Sequence, residues 1–280
     1  MLDHHEPSQV AAARGFGSAL RPWIESACSL SWKPSDGLGR IVVRAALRRQ
    51  LESLDVVIDL AEGDHGFAAV GLLRPSCEEL IWLRYLTTLR IDRFERLTMA
   101  MVGTGVLKDL KAQAGELGED LMRAMGLHKD LARYRATDGQ RREELKSLGR
   151  QLSWPKRSRK YGVEPSTWFI AMKTDSVDLY SFMYHATSRY VHFSPVELAR
   201  QGWSGPGDLR IDPTNHESHW GAFSLCWAPR LLAWSVNACV DHVSDTQDLE
   251  PDWPRVQEAL DNLTEIPLVP IITSDELYRE

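Results

Sequence analysis

The chain has 280 residues, 43% of them hydrophobic, and a formal net charge of -6. That much apolar material suits a folded core rather than a disordered segment, and no uninterrupted apolar run reaches the ~18 residues of a membrane span. The four cysteines, Cys28, Cys77, Cys226 and Cys239, form no Cys-x2-Cys pair, and the first residues carry no basic stretch followed by an apolar run. These features point to a protein of the reducing cytoplasm with no membrane partner.

Taken in chain order, the predicted elements are helices. The first spans about Val10 to Ser29. The second, Arg40 to Glu62, has a periodic apolar set (Ile41, Val42, Ala45, Leu51, Leu54, Ile58) and a stop at Gly63. A third, Phe67 to Thr88, begins near Pro75 or bends there. Others follow at Asp92 to Leu117, His128 to Leu152 and Asp175 to Phe193. Between Gly202 and Asn215 turn formers predict a loop, a rim or lid with at most one short strand at Leu209 to Ile211. The helix Glu217 to Val243 carries Trp220, Trp227 and Trp234 seven residues apart, a seam for a core or dimer contact, with a kink expected at Pro229. A last helix lies near Trp253 to Leu263. Without repeats or a clear linker, the expectation is one all-α domain over 1–280, with a core bundle at about 40–243, a loop-rich insertion near 202–215 and an acidic tail at 244–280.

Charge is spread unevenly. Between Arg133 and Lys160 ten basic residues face three acidic ones, whereas from Asp241 to the end eleven acids face two arginines. The basic stretch can hold an RNA backbone through Arg141, Arg142, Lys146, Arg150, Lys156, Arg157, Arg159 and Lys160, or dock on the acidic tail of its own or a neighbouring chain.

The stretch from Leu179 to Pro195 is the most informative. At ~100° per residue, Val177, Tyr180, Tyr184, Ser188 and Val191 share one helical face, beside a line of Asp178, Ser181, His185, Arg189 and His192. This predicts a mostly buried helix with one ionisable stripe, whose polar groups need partners or a chemical use. His185, Arg189 and His192, at i, i+4 and i+7, suit phosphodiester chemistry without a metal. One histidine takes the proton of a ribose 2′-hydroxyl, the other protonates the leaving oxygen, and the arginine stabilises the phosphorane. Alternatively Arg189 pairs with Asp178 or Glu78, and the histidines bond to carbonyls and specify packing. On an earlier helix, Arg74 and Glu78 can pair or orient Tyr184, Ser188 or His192. His216 and His219 beside Glu217 give only a weak metal-ligand spacing, and no phosphate-binding loop or dinucleotide fingerprint is present, so no metal and no cofactor is assigned.

Arg74-x3-Glu78 with Leu80-Ile-Trp-Leu-Arg-Tyr85, then Trp154-Pro-Lys-Arg-Ser, then Tyr180-x3-Tyr184-x3-Ser188-x3-His192 and Ser194-Pro195, together resemble an uncharacterised bacterial family of helical proteins. More distantly the pattern resembles the HEPN-type helical domains, many of them ribonucleases of toxin, CRISPR or phage-defence systems. The resemblance implies an all-α, HEPN-like multi-helix bundle, often a homodimer, with Arg74, Glu78, Tyr184, Ser188 and His192 at its site. In the HEPN ribonuclease signature four to six residues separate arginine from histidine; only two stand between Arg189 and His192. The leading expectation is a protein of bacterial defence or stress response that cleaves RNA through His192, Arg189 and His185, supported by Arg74 and Glu78. The alternatives are a non-catalytic module binding a partner protein, for instance from its own operon, and a nucleotide or small-ligand sensor holding phosphate through Arg74 and Arg189.

Overall fold

Helical periodicity is realised along most of the chain. A computed structural model describes residues 7–29, 37–192, 202–205, 208–211, 217–243 and 250–263. Their elements are α1 (Pro7–Cys28), α2 (Leu38–Glu62), α3 (Gly66–Gly71), α4 (Leu73–Thr87), α5 (Ile91–Ala124), α6 (Leu127–Ala136), α7 (Asp138–Gln151), α8 (Lys156–Tyr161), α9 (Thr167–Lys173), α10 (Val177–Val191), β1 (Gly202–Gly205), β2 (Asp208–Ile211), α11 (Glu217–Val243) and α12 (Trp253–Asp261). No helix of the described residues is long and apolar enough to cross a membrane.

The differences from the expected elements have local causes. The segment from Phe67 to Thr88 is two helices separated at Leu72, which puts Pro75 in the first turn of α4, where its missing N–H is not needed. The expected helix from His128 to Leu152 likewise divides at Thr137. The turn-rich stretch holds a hairpin rather than a single short strand: Gly202 pairs with Ile211 and Gly205 with Asp208, antiparallel. Two glycines give β1 little strand propensity of its own, so it depends on its partner. Ser194, Pro195, His216 and the acidic segments 244–249 and 264–280 lie outside the described residues.

The described residues gather into two compact units. One holds the residues up to 29, those at 43–84 and those from 174 onward. Here α3 lies against α10 and α11, while α1 packs on α11 and α12. The α3–α11 approach is set by backbone, since a Cβ on Gly66 would collide with the Glu217 carbonyl oxygen and stand 2.5 Å from the Gly221 nitrogen. Glu217 in turn caps α3, its Oε2 accepting the Phe67 N–H at 2.9 Å where His65 supplies no cap. The tryptophan seam faces inward: Trp220 and Phe223 are fully buried with centroids 5.4 Å apart, and Trp227 meets Phe182 of α10 at 5.2 Å. Pro229 lies inside α11, and the next residue, Arg230, donates to the carbonyls of Cys226 at 2.6 Å and Leu263 at 3.1 Å.

The other unit holds residues 37–42 and 85–173. Within it α5 packs on α6 and α7, and α7 on α8. Trp154 is buried and donates its indole N–H to the Tyr85 hydroxyl at 2.8 Å. Gly162, at φ 62°, would drive a Cβ into the Arg142 carbonyl oxygen, so the turn after α8 admits only glycine. Gly118 (φ 75°, ψ 169°) breaks the helical run of α5. In a straight helix Leu107 and Met122 would stand ~22 Å apart. Instead they share one apolar cluster with Leu110 and Leu131, because the chain bends sharply at Gly118.

Candidate functional site

Arg74 is the hub of the polar cluster on α4 and α10. Its Nε donates to Glu78 Oε1 at 3.1 Å, one turn along α4, the contact that i, i+4 spacing allows. Its Nη1 reaches Ser188 Oγ at 3.0 Å and His192 Nε2 at 2.8 Å. The guanidinium carbon also stands 4.9 Å from the centroid of the Tyr184 ring, and Tyr184 lies 5.6 Å from Tyr180. Arginine has no acceptor, so in this contact His192 presents an Nε2 lone pair and carries its proton on Nδ1. The five residues that the family resemblance implies, Arg74, Glu78, Tyr184, Ser188 and His192, are thus brought together by one side chain.

The helix carrying them is less buried than expected. Its buried residues are Met183, Ala186 and Thr187, whereas Tyr184 is 38% exposed and Val191 46%, and Asp178, His185, Arg189 and His192 lie at least partly open to solvent. The stripe is solvated, which removes the demand for buried partners. Nor does helical spacing govern His192, because α10 ends at Val191 and His192 is extended (φ -125°, ψ 153°). That extended residue swings the imidazole toward Arg74, so the guanidinium on His192 comes from α4 and not from Arg189. His185 remains beside Tyr184, ring edge to face, at 5.9 Å.

Below the guanidinium, Arg74, Cys77, Glu78, Tyr180, Met183 and Tyr184 line a notch too tight for a water molecule. The cluster is open to solvent on the side where Tyr184 and His192 are exposed. Spacing alone does not single out Cys77 and Met183, although Cys77 stands one helical turn from Arg74. Burial, with Glu78 adding to it, pushes the Cys77 thiol up to about 12, and burial also raises the Tyr180 phenol. Neither is an acid or nucleophile near neutrality.

Among the described residues no three or more His, Cys, Asp or Glu side chains group as a metal would require. Glu217 is occupied as the cap of α3, with its carboxyl raised by burial, and His219 stands edge-on to Trp220 at 5.6 Å.

Structure also sorts the basic segment. Arg141 turns inward along Gly103, donating to Thr137 Oγ1 at 2.5 Å and to the Tyr134 carbonyl, so it is a packing residue. Arg142 pairs with Asp138 at 3.0 Å and Lys146 with Glu143 at 2.6 Å. Arg150, Lys156, Arg157, Arg159 and Lys160 are exposed and form no ion pair among the described residues, with Lys160 resting 4.9 Å from the exposed Tyr161 ring.

The stretch that carries Arg74, the Trp154 motif and His192 is also where the chain matches known sequences. Residues 40–205 match the family of unknown function DUF5677. The chain belongs to that family. No curated protein and no solved structure matches it. In this DUF5677 protein the matched region holds the whole Arg74 cluster and stops before α11, whose Glu217 caps α3.

Proposed function

We propose that this DUF5677 protein is a HEPN-like RNA-binding protein that cleaves RNA without a metal at the Arg74–His192 pair. The observation that carries the reading is the state of that pair: Arg74 holds an exposed histidine through its Nε2 lone pair, and its own Nη2 forms no hydrogen bond among the described residues. A phosphodiester arriving from the exposed side takes the Nη donors, which frees Nε2 as a base. His192 then accepts the proton of a ribose 2′-hydroxyl, the 2′-oxygen forms its bond to phosphorus, and the bond from phosphorus to the 5′-oxygen breaks. The 5′-oxygen takes a proton from His185 or water, leaving a 2′,3′-cyclic phosphate and a 5′-hydroxyl. Arg74 offsets the charge on the phosphorane, Glu78 fixes its Nε, Ser188 its Nη1, and the Tyr184 ring its plane. Arg189 supplies a further cation for the chain of phosphates. In the second unit, Arg150, Lys156, Arg157, Arg159 and Lys160 provide the surface for RNA backbone. A homodimer would present two such sites, and a defence or stress role accords with RNA as the target.

The test is cleavage of single-stranded RNA in chelator. Wild type should yield 2′,3′-cyclic ends, a 2′-deoxy residue at the scissile position should abolish them, and His192→Ala should slow the reaction by ~100-fold or more. Equal rates for wild type and variant, or no cleavage by either, would end the catalytic reading. Neutralisation of Arg74 by Glu78 favours a second one, in which the cluster holds α10 to α4; it expects His192→Ala to lower the melting temperature without any change in RNA chemistry.

A further inference from the structure

The bend in α5 creates a concave surface within the 85–173 unit. Lys111, Ala114 and Gly115 before the bend, and Met122 and Arg123 after it, line a cavity of about 490 Å3 closed on its far side by α6. Small-molecule sites span ~300–1,000 Å3, so this one has the room that the notch under Arg74 lacks. Its floor is apolar, because Met122 and Leu131 belong to the buried cluster with Leu107 and Leu110. Gly115 leaves one wall flat, since even a Cβ there would meet nothing within 4 Å.

The rim is cationic. Lys111, Arg123 and Arg135 line the cavity and are exposed, with His128 beside them, against one carboxylate, Glu119. Arg123 lies 3.7 Å from Glu119, but both side chains are largely solvated, and such a pair holds the arginine weakly. The side chains of Lys111, His128 and Arg135 form no hydrogen bond or ion pair among the described residues.

We propose that this cavity binds a nucleoside phosphate. Two guanidinium groups and an ammonium around one mouth match a group with several anionic oxygens, which arginine engages through paired N–H donors. A flat, apolar body of nucleobase size suits a floor where Ala114 and Ala132 lie over the buried Met122 and Leu131. Inorganic phosphate would leave that floor wet, and a purely apolar ligand would leave the cations unused. This site is independent of the RNA-cleavage reading, since it contains neither Arg74 nor His192.

Calorimetric titration of the full chain with ATP, AMP and inorganic phosphate tests it. ATP should bind saturably, and more tightly than phosphate. The Arg123→Gln, Arg135→Gln double variant should weaken it by at least about tenfold. So should Ala132→Phe, which fills the cavity from an exposed position and removes no charge. Because these positions are exposed, unchanged melting curves will show that the variants fold. His192→Ala should bind ATP as wild type does; a loss there would assign the nucleotide to the other cluster and overturn the proposal. It is equally overturned if wild type binds no nucleotide, if either cavity variant binds with unaltered affinity, or if phosphate binds as tightly as ATP.

Discussion

Glu79 illustrates how a single carboxylate can work against the fold that contains it. It meets the Arg49 guanidinium, yet only 13% of its side chain is exposed against 68% for Arg49, and burial raises its pKa above the ordinary 4.5 despite that partner. A carboxyl raised in the folded state favours folding most when protonated. That contribution is complete below about pH 4.5 and is lost as pH climbs through the raised value. Glu79→Gln should therefore leave stability at pH 7 unchanged or higher by up to ~1 kcal/mol and flatten its decline above pH 4.5, checked by urea unfolding across pH. A large drop at neutral pH would show that the ion pair outweighs the burial. At this same scale the pairs Arg74–Glu78 and Tyr184–Ser188 are legible in the sequence because i, i+4 spacing is local, whereas only the family resemblance joins the two pairs and His192. The direction of His192 is not legible, since it depends on where α10 stops and on an arginine 118 positions earlier.

Elements are legible where periodicity runs long and unbroken, as in α2 and α11. They are less so where one residue interrupts a helical pattern, as Leu72 and Thr137 do, since composition there still reads as helix. The β1–β2 hairpin is obscure for a related reason: its pairing is a relation between two short segments, neither persuasive alone. Contact between elements yields a sharper expectation at Gly66. With backbone atoms crowding the missing Cβ, neither α3 nor α11 can yield by rotating a side chain. Gly66→Ala should destabilise the protein by ~3 kcal/mol, near the upper end for overpacking, and guanidinium unfolding should show it. A cost below ~1 kcal/mol would mean that α3 moves freely against α11.

For the whole molecule, a net charge of -6 conceals the local cations that matter to an anionic partner. Those without an intramolecular acid release the most counterions on binding, and in the basic segment they are Arg135 on α6, Arg150 on α7 and four residues on α8. Replacing Lys156, Arg157, Arg159 and Lys160 by alanine should reduce the slope of log affinity for single-stranded RNA against log salt by ~0.7 for each phosphate no longer neutralised. Arg141→Ala should instead lower stability and spare the slope, because its head group bonds to Thr137 and Tyr134. If both variants share the wild-type slope, RNA does not bind this surface. The division into two units is not legible in the sequence, because two of the chain's passages between them, at 42–43 and 84–85, fall inside α2 and α4, while the one at 173–174 falls between helices.

The cap on α3 has a consequence in time. Six residues do not hold a helix in water, and the carboxylate that secures its first turn lies 150 residues downstream. A ribosome delivers Gly66 long before Glu217, so α3 waits without its cap while 85–173 emerges. The nascent chain thus exposes the faces of α1 and α3 that pack on α11 until α11 arrives.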